Sequence, residues 1–123
     1  MTNFDAKQEV QNIVSFIQEY YKKYHLGGAV IGVSGGKDSG VVLALLVKAL
    51  GSENVIGLTL PCHSKPLDKD LAKIVADFYH VKLYNVDLTT TFDTLSDEIQ
   101  NGFEEPLTDA KLLNSNINLV IWR

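Results

Sequence analysis

The feature that most limits what this chain can fold into is a short apolar run that stops on two glycines and gives way at once to helical periodicity. Ala29-Val30-Ile31-Gly32-Val33 is unbroken by any polar residue, as suits a strand buried on both faces. Ser34-Gly35-Gly36 ends it, and from Asp38 to Leu50 the chain is helical in character, with Gly51 as a cap. The same alternation then continues. Asn54-Val55-Ile56-Gly57-Leu58-Thr59-Leu60 reads as a second buried strand ended by Pro61, and Leu67, Leu71, Ile74, Val75 and Phe78 mark the next helix. Lys82-Leu83-Tyr84-Asn85-Val86 reads as a third strand. Phe92, Leu95, Ile99 and Phe103 mark a further helix behind Thr89-Thr90-Thr91, a cluster suited to capping it. Ahead of the first strand, Phe4, Val10, Ile13, Val14, Ile17, Tyr20, Tyr21 and Tyr24 recur at helical spacing. Lys22, Lys23 and His25 fall in the last turn of that helix, and Gly27-Gly28 are expected to stop it.

Helices alternating with strands imply an α/β fold with parallel strands joined by right-handed crossovers. The chain has 123 residues, which suits a single domain. Given right-handed crossovers and the strand order 3-2-1, one neighbour of the strand from Ala29 to Val33 is the second strand, and its other edge is left open. Two ways of covering that edge are foreseen. The terminal run Ile117 to Trp122, with Ile117, Leu119 and Ile121 alternating to one face, has the composition of a fourth strand. Otherwise two chains associate as a homodimer that also buries the tyrosine-rich first helix, and this is the favoured expectation.

Composition narrows the function. The net charge of −4 and the absence of any block of Lys and Arg argue against a nucleic-acid partner. A single cysteine, Cys62, excludes an internal disulfide and a thiolate-rich zinc site. The N-terminus has no signal-peptide pattern, and the longest aliphatic run, Val41 to Val47, is too short to span a bilayer. A cytoplasmic protein without a membrane partner is the expectation.

The chemistry is expected in the break between first strand and helix. In open parallel sheets the ligand crevice lies at the carboxyl ends of the strands. Two glycines let the backbone adopt φ > 0 and let an anion approach the main chain. The free N–H groups of the helix's first turn and the helix dipole then favour that anion. Ser34 and Ser39 add hydroxyls and Lys37 adds a positive charge. Asp38 would repel a bare phosphate, so its presence points to a bridging Mg²⁺, which takes carboxylate and phosphate oxygens together. The string is neither a Walker A loop nor Gly-x-Gly-x-x-Gly.

Ser34-Gly35-Gly36-Lys37-Asp38-Ser39 resembles the signature of the N-type ATP pyrophosphatases, the PP-loop group. The flanks are most similar to ammonia-dependent NAD synthetase. Val30 to Val42 followed by Ala49-Leu50-Gly51 resembles that family's loop and helix, and Val55 to Pro61 its second strand. Asp68 and Asp70, then Ala72, resemble the acidic start of its next helix. The resemblance implies an adenine nucleotide alpha hydrolase-like, three-layer sandwich and a homodimer. It implies that the carboxylate of nicotinic acid adenine dinucleotide (deamido-NAD) attacks the α-phosphate of ATP, and that ammonia then displaces AMP to give NAD. Ser34, Gly35, Gly36, Lys37 and Ser39 would hold the pyrophosphate, Asp38 would ligate Mg²⁺, Lys37 and Asp38 would be catalytic, and Leu60 would flank the adenine. Family members are longer, and they carry a segment resembling Asn-Leu-Pro-x-Arg-x-Arg where this chain ends Asn118-Leu119-Val120-Ile121-Trp122-Arg123. The chain is accordingly expected to be the N-terminal part of the family fold, truncated or degenerate, and inactive on its own. The alternatives are a non-catalytic nucleotide-binding remnant and another PP-loop enzyme acting on a nucleotide or tRNA.

Other polar residues read as structural. His25 is expected at a helix C-terminus, Cys62 as a small buried hydrophobe, and Asp93, Asp97 and Glu98 as a solvated helix face. His63 is placed where it could reach a nucleotide.

Overall fold

A computed structural model describes residues 3–102 of the chain. The expectations for Phe103 and for the run from Ile117 to Trp122 lie outside the described residues. The described chain forms two compact units. One holds the residues up to Thr59 together with Lys65–Asn85, and the other holds Leu60–Ser64 with the chain from Val86 onward.

In the first unit the order is α1 (Ala6–Lys23), β1 (Ala29–Gly32), α2 (Lys37–Leu50), β2 (Val55–Thr59), α3 (Pro66–Phe78) and β3 (Lys82–Asn85), with a 3-10 turn at Ser52–Asn54. The strands are parallel in the order β1-β2-β3, as expected. The register pairs Ala29 with Val55 and Gly57 with Leu83. Each β-α-β step runs in the same direction, so α2 and α3 fall on one face of the sheet. There Val33, Leu43, Val55, Ala72 and Val81 are buried together, with Leu46, Val47, Val75 and Tyr79 packed against them. Among the described residues the opposite face stays open, and Val30 is 65% exposed. Burial on both faces, expected of the β1 and β2 runs, is therefore realised on one face only.

Periodicity located the helices but did not choose the buried stripe. Leu67, Leu71, Ile74 and Phe78, which mark α3 in the sequence, are all exposed. The helix buries its small residues Ala72 and Ala76 instead, with Val75 and Tyr79 beside them. Small residues let the helix backbone come close to the sheet, and close approach decides the face. In α1 the half-buried stripe is Val10, Val14, Ile17 and Tyr21, while Ile13, Phe16, Tyr20 and Tyr24 form a second, exposed one.

Two helix ends are made by histidine. His25 and His80 have φ of 53° and 55°, in the left-handed region. After α1, Leu26 N–H donates to Tyr21 C=O at 3.0 Å and His25 N–H to Lys22 C=O at 3.4 Å. After α3, Val81 N–H donates to Ala76 C=O at 2.9 Å and His80 N–H to Asp77 C=O at 3.1 Å. Both are Schellman caps in which histidine takes glycine's usual place. The expected stop at Gly27-Gly28 is therefore too late, because the chain has already reversed at His25. A left-handed non-glycine residue carries about 1–2 kcal/mol of steric strain, partly offset by glycine's greater unfolded-state entropy. We expect His80→Gly to stabilise the protein by about 0.5–1 kcal/mol, read as a higher urea midpoint at constant slope. An unchanged or lower midpoint would count against strain at this cap.

In the second unit α4 spans Thr89–Asn101. The expected cap by Thr89-Thr90-Thr91 does not form, since Leu88 is the N-cap residue and the three threonines lie inside the first turn. Among the described residues no helix is long and apolar enough to cross a membrane.

Candidate functional site

β1 ends at Gly32, and Val33 N–H still donates to Leu58 C=O at 2.8 Å, so the loop leaves a fixed strand end. Gly35 has φ +84°, and a Cβ there would lie 2.6 Å from Leu71 Cβ and 3.0 Å from Ala72 N. The glycine is required by close approach to α3 as much as by the turn. Gly36 differs: it is extended, with φ −82° and ψ 171°, so only the first of the two glycines uses the left-handed region.

Gly36 is the N-cap residue of α2 and offers no side chain to bond the first-turn N–H groups. Those donors, at Lys37, Asp38 and Ser39, therefore remain for an external acceptor. Around them the loop satisfies itself. Gly36 N–H donates to Ser34 Oγ at 3.2 Å, and Ser34 N–H donates to Ser39 Oγ at 3.2 Å. The two hydroxyls lie 3.0 Å apart, and Ser39 Oγ donates to Gly36 C=O at 3.4 Å. With that proton committed, Ser34 supplies the proton between the hydroxyls. Lys37 Nζ donates to Asp38 Oδ1 at 2.8 Å, with both side chains about nine-tenths exposed.

The expected site residues from Ser34 to Ser39 thus come together in one loop of the first unit. Leu60 opens the second unit, where it is exposed.

The second unit contains an arrangement the sequence did not reveal. His63, at φ 53°, donates its N–H to Thr89 Oγ1 at 3.2 Å. Its Nε2 lies 2.6 Å from Asp93 Oδ1, and its ring meets Phe92 edge-on. Asp93 is exposed, as expected of a solvated helix face, and pairs there with this histidine. The available signal was the spacing of Thr89 and Asp93, one helical turn apart on α4. Leu88 N–H donates to Pro61 C=O at 2.8 Å and ties the same segment to the start of α4. Neighbouring Cys62 is buried, as expected of a small hydrophobe. Burial, then the negative charges of Asp93 and Asp87, push its thiol pKa up, so it is held as an unreactive thiol.

A strand-to-helix loop with uncapped N–H groups, two serines and one carboxylate offers donors suited to an anion, and comparison with known proteins names the family of the chain. The sequence model for NAD synthase matches residues 9–118. The chain belongs to the NAD synthase family. An NH3-dependent NAD+ synthetase from Carboxydothermus hydrogenoformans is 30% identical over 111 residues, covering 90% of this chain and 44% of that relative. The structure of NH3-dependent NAD synthetase from Campylobacter jejuni superposes with a TM-score of 0.78 at 24% identity, over 98% of this chain and 52% of that one. A glutamine-dependent NAD+ synthetase from Acinetobacter baumannii, solved with ADP, gives a TM-score of 0.78 at 22% identity, over 90% of this chain and 22% of that one. The parallel α/β fold of the family is therefore the fold of this chain. The chain spans less than half the length of the Carboxydothermus relative.

Proposed function

We propose that this chain carries the ATP-binding part of an ammonia-dependent NAD synthetase. The observation that supports this most directly is the uncapped start of α2 behind Gly36, lying in the stretch that the NAD synthase family matches. In this reading the N–H groups from Lys37 to Ser39 and the hydroxyls of Ser34 and Ser39, once released from each other, hold the β- and γ-phosphates of ATP. Lys37 offsets their charge. A carboxylate oxygen of deamido-NAD attacks the α-phosphorus, and the bond to pyrophosphate breaks. Ammonia then attacks the acyl carbon, AMP leaves, and a proton is released with NAD. The chain's own contribution is positioning and charge stabilisation of the leaving pyrophosphate. We place the reaction in the cytoplasm.

The donor set was tested against magnesium. Among the described residues no group of three or more His, Cys, Asp and Glu could enclose a metal ion, so a protein cage is absent there. One exposed carboxylate beside a phosphate loop does fit magnesium that arrives on a phosphate chain, because that ion commonly takes one or two carboxylates plus substrate phosphates. Asp38 would hold it, and the ion would neutralise phosphate charge.

The test is calorimetric titration of the 123-residue chain with pyrophosphate and with ATP, in magnesium, alongside an assay for AMP and NAD from ATP, deamido-NAD and ammonia. Saturable binding is expected without turnover by this chain alone, since it spans 44% of the length of the Carboxydothermus relative. Absence of binding defeats the proposal, and turnover at the rate of a full-length synthetase defeats the expectation of inactivity. We further propose a homodimer. Its support is the unpaired outer edge of β1, the terminal strand of the described sheet, and the exposed Phe16, Tyr20 and Tyr24 on α1. Light scattering that shows a monomer at micromolar concentration would remove it.

A further inference from the structure

The pairing of Lys37 with Asp38 carries an inference that rests on the proposed pyrophosphate site and deepens it. Neighbouring residues on a helix do not face each other. Lys37 therefore has to fold its long stem back along the first turn to bring Nζ within 2.8 Å of Asp38 Oδ1. In doing so it commits the cation of the loop to the carboxylate of the same loop. The two hydroxyls are likewise committed to each other and to Gly36. The resting loop thus holds its charges and hydroxyl protons in internal contacts, leaving the first-turn N–H groups as its open donors.

We propose that Lys37 is the resident counter-ion of Asp38 and turns to the phosphate chain only when a divalent cation takes its place, so that the loop selects a metal-charged polyphosphate over a metal-free one. A metal-free polyphosphate meets the Asp38 carboxylate directly, and Lys37, paired with that carboxylate, cannot serve both anions. A divalent cation, hard and doubly charged, displaces a single ammonium from carboxylate oxygen. Its arrival converts Asp38 from a repulsive group into a ligand and frees Lys37 for a charge-assisted bond to phosphate oxygen. One exchange therefore changes two interactions in the same direction. Lys37 here is a binding and selectivity residue, and no bond-making step is assigned to it.

The test is pyrophosphate binding by calorimetry to the 123-residue chain, with magnesium and separately with a chelator in its place. Wild type, Asp38→Asn, Lys37→Met and the double variant are compared. Both side chains are almost fully exposed, so the variants should fold as wild type does. In chelator, Asp38→Asn frees Lys37 and should bind pyrophosphate about fivefold or more tightly than wild type. The double variant should lose that gain, while Lys37→Met alone should change little because the lysine was already occupied. With magnesium, Lys37→Met should weaken binding by about fivefold. A gain in Asp38→Asn that persists in the double variant would overturn the inference, since removal of repulsion alone would then explain it. Equal weakening by Lys37→Met in chelator and in magnesium would overturn it too. Neither outcome touches the pyrophosphate site itself. Failure of wild type to bind pyrophosphate in magnesium would instead remove the proposed function, and this inference with it.

Discussion

Gly35→Ala should destabilise the protein by about 2–5 kcal/mol, the sum of a left-handed penalty of about 1–2 kcal/mol and an overpacking penalty of about 1–3 kcal/mol. The first term follows from φ of +84° at this residue. The second follows from a Cβ that would stand 2.6 Å from Leu71 Cβ and 3.0 Å from the backbone nitrogen of Ala72. Backbone cannot rotate aside as a side-chain tip can, so α3 itself would have to move away. Ala72 is one of the residues that fill the core on that face, so the movement would open packing around Leu43 and Val55. Gly36→Ala is the matched control. Its backbone is extended, and an added Cβ meets only Ser34 Oγ at 3.3 Å. We expect a cost below about 1 kcal/mol there. Urea or thermal denaturation of the two variants checks this, and equal losses would show that the second glycine is as constrained as the first.

Asp38→Ala should weaken pyrophosphate binding in magnesium by roughly 10- to 150-fold, the equivalent of a charge-assisted contact of about 1.5–3 kcal/mol. The same substitution should barely change stability. Asp38 is exposed, and the contact it makes, with Lys37, is a surface ion pair of the kind that contributes little. The loss should also depend on the metal. In chelator the carboxylate repels pyrophosphate and holds Lys37, so removing it should strengthen binding, as for Asp38→Asn. Equal affinities of wild type and Asp38→Ala in magnesium would take Asp38 out of the site. A loss of the same size with and without magnesium would mean that the side chain acts through the loop's shape.

The six-residue loop was legible in the sequence because its conformation depends on local geometry. A strand end, a left-handed glycine and an uncapped helix start lie within a few residues of one another and need no distant contact to be recognised. His63 and Asp93 were not legible in this way. They stand thirty positions apart in the chain, and only the return of the chain to α4 brings Nε2 within 2.6 Å of the carboxylate. The histidine caps show a similar limit. A glycine pair two residues beyond His25 gave the stronger local signal for a helix stop, yet the chain reversed earlier, where Leu26 and His25 could satisfy the last carbonyls of α1.

By itself, the sequence determined the alternation of helices and strands, their parallel pairing and the place of the Ser34–Ser39 loop at the end of β1. Each follows from periodicity, chirality or the conformational range of a few residues, and these act over short stretches of chain. Only the tertiary structure decided which stripe of each helix is buried. The apolar surface of α3 runs round both Leu71 and Ala72, so hydrophobicity alone could not rank the two faces. The sheet accepts Ala72 and Ala76 because small side chains let helix and strands approach to packing distance, and Leu67, Leu71, Ile74 and Phe78 are left facing out. The same contact brings the α3 backbone against Gly35, which is why this residue of the Ser34–Ser39 loop has to be glycine for a reason lying thirty-six positions further along the chain.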